Sequence, residues 1–203
     1  MIDLFSQFIA FMNNGGIIMW VLFVLNLLLW FGLGYRYMVL QRGTKGNVRR
    51  QIQKHLKRKD EQKIRGLLDE VIADALAALR DATRLHLKPR AYIEDAVATY
   101  RSGLGKYSIL VKTIVVLAPL VGLLGTVMGM IETFDALQTG SMFSQGASIS
   151  GGISKALFTT ELGLVVAVPG LIIGRVLDKQ EERLELEFEQ IKDILCTEDL
   201  DEI

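Results

Sequence analysis

The chain has little cysteine, proline or histidine: one, three and two residues respectively among 203. A single cysteine, Cys196, excludes an intramolecular disulfide, and the acidic residues around it favour an unreactive thiol. His55 and His86 both lie in a basic segment, and no phosphate-binding glycine loop follows a predicted strand. We therefore expect a protein that is not an enzyme and that binds no cofactor and no metal.

Lysine and arginine are absent from two long stretches of the chain. Residues 1–35 and 113–154 contain neither, whereas residues 36–106 contain 17 basic residues against 8 acidic ones. Over the whole chain, 23 basic and 23 acidic residues cancel. The distribution of charge is therefore more informative than the net charge.

The basic-free stretches contain long apolar runs, and a third run follows them. Residues 17–35, 113–131 and 156–174 are each 19 residues long, and half of the whole chain is hydrophobic. A bilayer-spanning helix needs about 20 such residues at about 1.5 Å each. The sequence predicts an all-α integral membrane protein with three spans and long helical extensions, divided as follows: an interfacial segment 1–16, span 17–35, an inner helical region 36–112, span 113–133, an outer loop 134–152, span 153–175 and an inner C-terminal helix 176–203.

Basic residues near the ends of the spans predict the orientation. Five of them follow the first span and three follow the third: Arg36, Arg42, Lys45, Arg49 and Arg50, then Arg175, Lys179 and Arg183. Such residues are kept on the cytoplasmic side. The N-terminus is thus expected outside and the C-terminus inside, so that a cysteine at Ser141 is labelled from outside and one at Lys59 is not.

The extensions outside the spans carry apolar stripes at helical spacing. One stripe precedes Pro89, a second helix is expected to run from Arg90 into the second span, and another stripe follows the third span. The stripes contain Ile64, Leu67, Leu68, Val71, Ile72, Ala75, Leu76 and Leu79, and then Leu177, Leu184, Phe188, Ile191 and Leu195. They pack either within one chain or between subunits.

Small residues cover one face of each of the last two spans. The small face of the second span comprises Ala118, Gly122, Gly125, Thr126, Gly129 and Thr133. The small face of the third comprises Gly152, Ala156, Thr159, Thr160, Gly163, Ala167, Gly170 and Gly174. These faces either pack on each other or line a cavity and receive a partner helix. Pro119 and Pro169 are expected to kink the two helices.

Four polar residues of these spans are candidates for a proton path. Thr126 and Thr160 lie at the edges of the small faces near mid-membrane, and each hydroxyl serves either a proton path or its own helix. Lys155 lies near the outer headgroups, where a lysine can snorkel. Glu161 lies deeper, where ionisable residues are expected to be neutral, paired or functional, and Asn26 is a candidate hydrogen-bond partner for it.

Two stretches, "APLVGLLGTVMGMIETF" and "GGISKALFTTELGLVVAVPGLIIG", resemble the second-span and third-span motifs of the proton-channel family that contains ExbB, TolQ and MotA. The order of the spans resembles ExbB or TolQ more than the four-span MotA. By motif, Thr126 and Thr160 correspond to pore-facing threonines. The departure is Lys155, where the family pattern commonly has a glutamate, and Glu161 is the nearest acid along the sequence.

The resemblance implies an inner-membrane motor subunit, most similar to ExbB. Such a subunit forms a homopentamer around an ExbD- or TolR-like single-span partner and uses the proton motive force to drive a TonB- or TolA-like protein. A TolQ-like role in outer-membrane integrity and a passive membrane scaffold are the alternatives. The basic run "RRQIQKHLKRK" is expected to meet anionic lipid headgroups and not nucleic acid.

Overall fold

The computed structural model describes residues 2–41, 48–57, 66–85, 87–139 and 145–197. Throughout these ranges the regular structure is helical, which confirms the predicted all-α fold. The helices are α1 (Ile2–Asn14), α2 (Gly16–Val39), α3 (Val48–Lys57), α4 (Leu67–Arg84), α5 (Pro89–Leu104), α6 (Ser108–Thr139) and α7 (Gln145–Thr197). Three stretches, one in each predicted span region, are long and apolar enough to cross a membrane. The protein is therefore a multi-pass membrane protein.

The chain divides into two compact units. Residues Met1–Leu33 and Ile109–Gly174 form one, which we call the membrane unit, and residues Gly34–Ser108 and Arg175–Ile203 form the other, which we call the hydrophilic unit. The predicted spans supply most of the membrane unit. The predicted inner helices supply the hydrophilic unit.

A sharp corner between α1 and α2 begins the membrane unit. Gly16 has a φ of 67°, a left-handed conformation that glycine adopts without the cost of a side chain. The ring of Phe11, on α1, contacts that of Phe158, on α7, edge to face with centroids 5.3 Å apart. Met12, the residue after Phe11, is buried. The segment 1–16 is thus largely a helix in contact with a span.

The hydrophilic unit has an aliphatic core. The predicted stripes are buried in the single chain, including Leu68, Val71 and Ile72 on α4 and Phe188 and Ile191 on α7. Of the two alternatives, the structure thus supports packing within one chain. Ile64, the first residue predicted in the α4 stripe, lies outside the described residues.

Two boundaries differ from the sequence predictions. The helix from Arg90 does not run into the second span: α5 ends at Leu104, and α6 begins at Ser108 after a turn in which Tyr107 has a φ of 64°. The segment 134–152 is also more helical than expected, because α6 continues to Thr139 and α7 already begins at Gln145. At the first boundary the sequence does contain helix-weakening residues, Gly103 and Gly105.

Candidate functional site: the interface of two membrane helices

Glycines let α6 and α7 approach until their backbones touch. A Cβ added to Gly122 would lie 2.9 Å from the carbonyl oxygen of Thr159, and one added to Gly163 would lie 2.8 Å from that of Ala118. One added to Gly129 would lie 2.7 Å from the carbonyl oxygen of Gly152. Contacts this close leave no space for any side chain. The two helices are antiparallel, because the contacts advance along α6 while they recede along α7.

Two threonines fill the spaces that the glycines leave. Thr159 of α7 packs against Gly125, and Thr133 of α6 packs against Gly152. Both are buried, and each hydroxyl donates to its own helix: Thr133 Oγ1 to the carbonyl oxygen of Gly129 at 2.9 Å, and Thr159 Oγ1 to that of Ala156 at 3.0 Å. Their hydrogen bonds are therefore satisfied within the interface.

The two small faces thus pack on each other within one chain, which is the first of the two alternatives. Six residues predicted to form a surface for a partner helix are buried in this contact of the single chain, and the partner-helix surface itself stays a prediction: Ala118, Gly122, Gly125, Gly129, Ala156 and Gly163. The six share one property: each lies in the α6–α7 contact. Ala167, in the same assignment, is buried as well.

Thr126 and Thr160 lie at the margin of this contact. On helical wheels Thr126 lies about 40° from Gly122 and Thr160 about 60° from Gly163. Because the helices are antiparallel, these rotations point to the same side of the pair. Both threonines are half-buried, with Leu123 and Leu157 exposed beside them. We call this side, which also carries exposed Met130 and Leu164, the threonine edge.

The hydroxyls of the threonine edge are turned to their own helices. Thr126 Oγ1 donates to the carbonyl oxygen of Leu123 at 2.6 Å, and Thr160 Oγ1 donates to that of Ala156 at 3.3 Å. The second bond is long for a hydroxyl donor and therefore weak. Each oxygen retains lone pairs that can accept a further hydrogen bond.

Lys155 lies on the opposite side of the pair, which the α1–α2 corner covers. Its Nζ donates to Glu132 Oε1 at 2.5 Å, and its side chain is 19% exposed against 50% for Glu132. Lys155 thus forms an ion pair, which differs from the expected snorkelling. Glu132 was not predicted as a partner of Lys155, although an isolated acid at the end of the second span was a visible signal.

Glu161 and the two prolines were the remaining predicted residues of the spans. Glu161 is exposed and Asn26 is half-buried, and among the described residues no hydrogen bond joins them, so the predicted pairing is wrong. The two lie on different levels, since the α2–α7 contacts Gly16–Lys155 and Leu29–Gly170 place Asn26 nearer to Ala167. Pro119 and Pro169 lie inside α6 and α7, which continue past them, and the kinks stay a prediction.

An ion cluster in the hydrophilic unit was also missed. The Arg36 side chain is fully buried, and its Nη2 donates to Asp178 Oδ1 at 2.9 Å and to Glu181 Oε2 at 2.5 Å. Ser108 Oγ lies 3.5 Å from the same Asp178 oxygen. In the sequence, Arg36 indicated only the orientation of the first span in the membrane. Its two acidic partners lie more than 140 residues further along the chain, on a helix rich in other acids.

Known proteins resemble this chain over part of its length. It is 39% identical over 88 residues to a putative biopolymer transport protein ExbB-like 3 of Synechocystis sp., an alignment that covers 43% of this chain and 42% of the relative. It is 28% identical over 158 residues to the biopolymer transport protein ExbB of Pseudomonas putida, covering 73% of this chain and 47% of the relative. The chain thus spans less than half the length of these relatives.

A family profile also matches most of the chain. The profile of the MotA/TolQ/ExbB proton channel family matches residues 41–190. The match includes α6, nearly all of α7 and the helices between α2 and α6. With the three spans already described, this match is decisive: the chain belongs to the MotA/TolQ/ExbB proton channel family.

Proposed function

We propose that the protein is the channel-forming subunit of an ExbB-like motor in a bacterial inner membrane. With an ExbD- or TolR-like single-span partner, it would use the proton motive force to energise a TonB- or TolA-like protein. The observation that carries the proposal is the threonine edge: two hydroxyls at membrane depth on the uncovered side of α6 and α7. Hydroxyl groups there can pass hydrogen bonds to water or to a titrating side chain of a partner.

An oligomer follows from the same edge. Two hydroxyls on one chain do not enclose a path, and the apolar side chains around them exclude water only when another helix covers them. We propose a ring of identical subunits, a pentamer as in the family resemblance, with the threonine edges turned towards the partner helix. The deeply placed Glu161 is then covered by a neighbouring subunit, which supplies a hydrogen-bond partner for its carboxyl group.

Replacing Thr160 by valine tests the proposal. The change removes a hydroxyl at nearly constant size, so assembly should persist while proton flux with the partner in liposomes falls. Thr113→Val is the matched control, because Thr113 is an exposed threonine of α6, about 180° from Gly122, whose hydroxyl donates to its own helix at 2.8 Å. Normal flux in Thr160→Val with intact assembly would contradict the assignment of Thr160 to the proton path. Absence of flux from the unmodified complex would favour the alternative of a passive membrane scaffold.

Glu161→Gln separates two roles of that carboxyl. Glutamine keeps the shape and the hydrogen bonds but exchanges no proton. If the variant assembles and energises transport normally, Glu161 is structural. If it assembles and is inactive, Glu161 shares in proton transfer.

Orientation is tested with thiol labelling. Ser141 and Lys59 lie outside the described residues, so described positions are preferable. The only native cysteine, Cys196, is exposed in the hydrophilic unit, and Gln138 is exposed near the end of α6. A reagent that does not cross membranes should label Gln138→Cys in a Cys196→Ser background and should leave native Cys196 unlabelled in intact cells. The reverse pattern would invert the topology.

Anionic lipid headgroups are the proposed partner of α3. Val48, Gln51 and Ile52 of this helix are buried, and Arg49 and Arg50 are exposed. An exposed basic pair next to a span attracts anionic lipids by about 1 kcal/mol per residue. Purification of an Arg49→Gln/Arg50→Gln variant with less bound anionic lipid than the unmodified protein would support this contact, and equal retention of anionic lipid would count against it.

A further inference from the structure

Lys155 and Glu132 occupy a position that the proposed proton path does not use. On the helical wheels each lies about 80° from the α6–α7 contact, on the side opposite the threonine edge. The Lys155–Glu132 ion pair is therefore separated from Thr126 and Thr160 by the glycine contact between the helices. Lys155 was a candidate for the proton path, and its place in the fold removes it from that path.

The same pair is joined to the glycine contact by adjacent residues. Thr159 fills the space at Gly125, and its Oγ1 lies 3.2 Å from the carbonyl oxygen of Lys155. Glu132 directly precedes Thr133, which packs against Gly152. The ion pair thus lies beside the two threonine–glycine contacts that fix how far α6 and α7 are shifted along each other.

The α1–α2 corner holds the lysine in place. A Cβ on Gly16 would lie 2.7 Å from Lys155 Cε and 2.9 Å from Nζ, so the corner packs directly on the end of the lysine side chain. Glycine at this position serves both the positive φ and this contact. On its other side the ammonium reaches the carboxylate of Glu132.

We infer that Lys155 and Glu132 are a positioning pair, which sets the axial register of α6 against α7 and thereby the relative levels of Thr126 and Thr160. The inference rests on the proposed function for its consequence in proton flux. The carboxylate that pairs with Lys155 is supplied by α6 through Glu132. Glu161 lies on another face of α7.

Charge exchange tests the pairing. Lys155→Glu places two carboxylates together and Lys155→Met leaves Glu132 unpaired, so each should lower proton flux, Lys155→Met by about fivefold if the pair has the upper value for a partly exposed ion pair. The double variant Lys155→Glu/Glu132→Lys should restore flux with an unchanged pH profile. Lys179→Met, an exposed lysine further along α7, is the control and should behave as the unmodified protein. Failure of the exchanged pair to restore flux would overturn the inference, as would a shifted pH profile.

A second measurement shows whether the pair acts through the threonines. The double variant Lys155→Met/Thr160→Val should have nearly the same proton flux as Thr160→Val alone, because both changes act on the threonine edge. Additive losses would contradict a positioning role. The rate of thiol labelling at Thr160→Cys, in a Cys196→Ser background, gives a readout without flux: it should change with Lys155→Met and return with the exchanged pair. An unchanged rate would overturn the inference even if the complex conducts no protons.

Discussion

The α6–α7 contact of the membrane unit and the core of the hydrophilic unit are packed with side chains of opposite size. In the membrane unit, α6 and α7 touch through glycines and threonines, while leucines such as Leu120 and Leu164 remain exposed. In the hydrophilic unit, large side chains such as Phe188 and Ile191 are buried, and most charged groups other than Arg36 lie outside. The two arrangements occur along the same continuous helix, α7, on either side of Gly174.

The difference follows from the surroundings of each unit. In lipid, burying a leucine gains little, since the lipid is equally apolar, so helices associate through close backbone contact. In water, burial of a large apolar side chain is the main favourable term, at roughly 25 cal/mol per Å². Opposite changes in side-chain volume should therefore be harmful in the two places: removing volume destabilises the core of the hydrophilic unit, and adding volume destabilises the α6–α7 contact.

The largest effect is expected from removing volume at Phe188. This residue is completely buried in the hydrophilic unit, so Phe188→Ala should lower the free energy of unfolding by about 3–5 kcal/mol. Leu186→Ala, at an exposed leucine two residues earlier, should have little effect. Thermal unfolding in detergent, followed by circular dichroism, measures both. Equal losses would show that burial in the single chain does not govern stability there.

The second effect concerns the buried Arg36. Arg36→Met removes the cation and leaves Asp178 and Glu181 close together without compensation, which should cost about 3 kcal/mol. The two carboxylates are 30% and 18% exposed, so water offsets part of the loss. Adding Asp178→Asn and Glu181→Gln to Arg36→Met should recover part of the stability. If it recovers none, the repulsion between the carboxylates is not the cause.

Adjacent glycines of α7 provide the sharpest test in the membrane unit. A Cβ on Gly152 would meet Thr133 and lie 2.8 Å from the carbonyl oxygen of Gly129, whereas one on Gly151 would have nothing within 4 Å. Gly152→Ala should therefore destabilise by about 1–3 kcal/mol. Gly151→Ala should be neutral or stabilising by up to about 1 kcal/mol, since alanine favours the helix. Identical unfolding of the two variants would disprove the close α6–α7 contact.

Sequence patterns predicted the features that repeat along a helix and missed those that join distant segments. The three spans, the small faces and the stripe on α7 all follow from spacing. The pairing of Arg36 with Asp178 and Glu181 joins residues far apart in the sequence, and several other acids of the same helix were equally plausible partners. Glu161 with Asn26 was predicted from polarity alone, and the level of Asn26 in the bundle, which the sequence does not contain, made it wrong.

The smallest expected effect comes from an exposed ion pair of the hydrophilic unit. Lys192 and then Arg101 hold the pKa of the Glu189 carboxyl below its usual value, Lys192 through a contact of 2.6 Å and Arg101 through one of 2.5 Å. A lowered pKa means that the contribution to stability is present above the pKa of the unfolded chain and is lost as the pH falls through that of the folded chain. Because the side chains of Glu189 and Arg101 are 41% and 46% exposed, the contribution should be only about 0.5 kcal/mol. Glu189→Gln should thus lower stability slightly at pH 7 and have no effect in acid, where the native carboxyl is protonated as well. Glu182→Gln, at an exposed acid next to Glu181 in the sequence, serves as the control for loss of one negative charge. A loss at Glu189 that persists unchanged in acid would mean that packing of the side chain, and not its charge, holds α5 against α7.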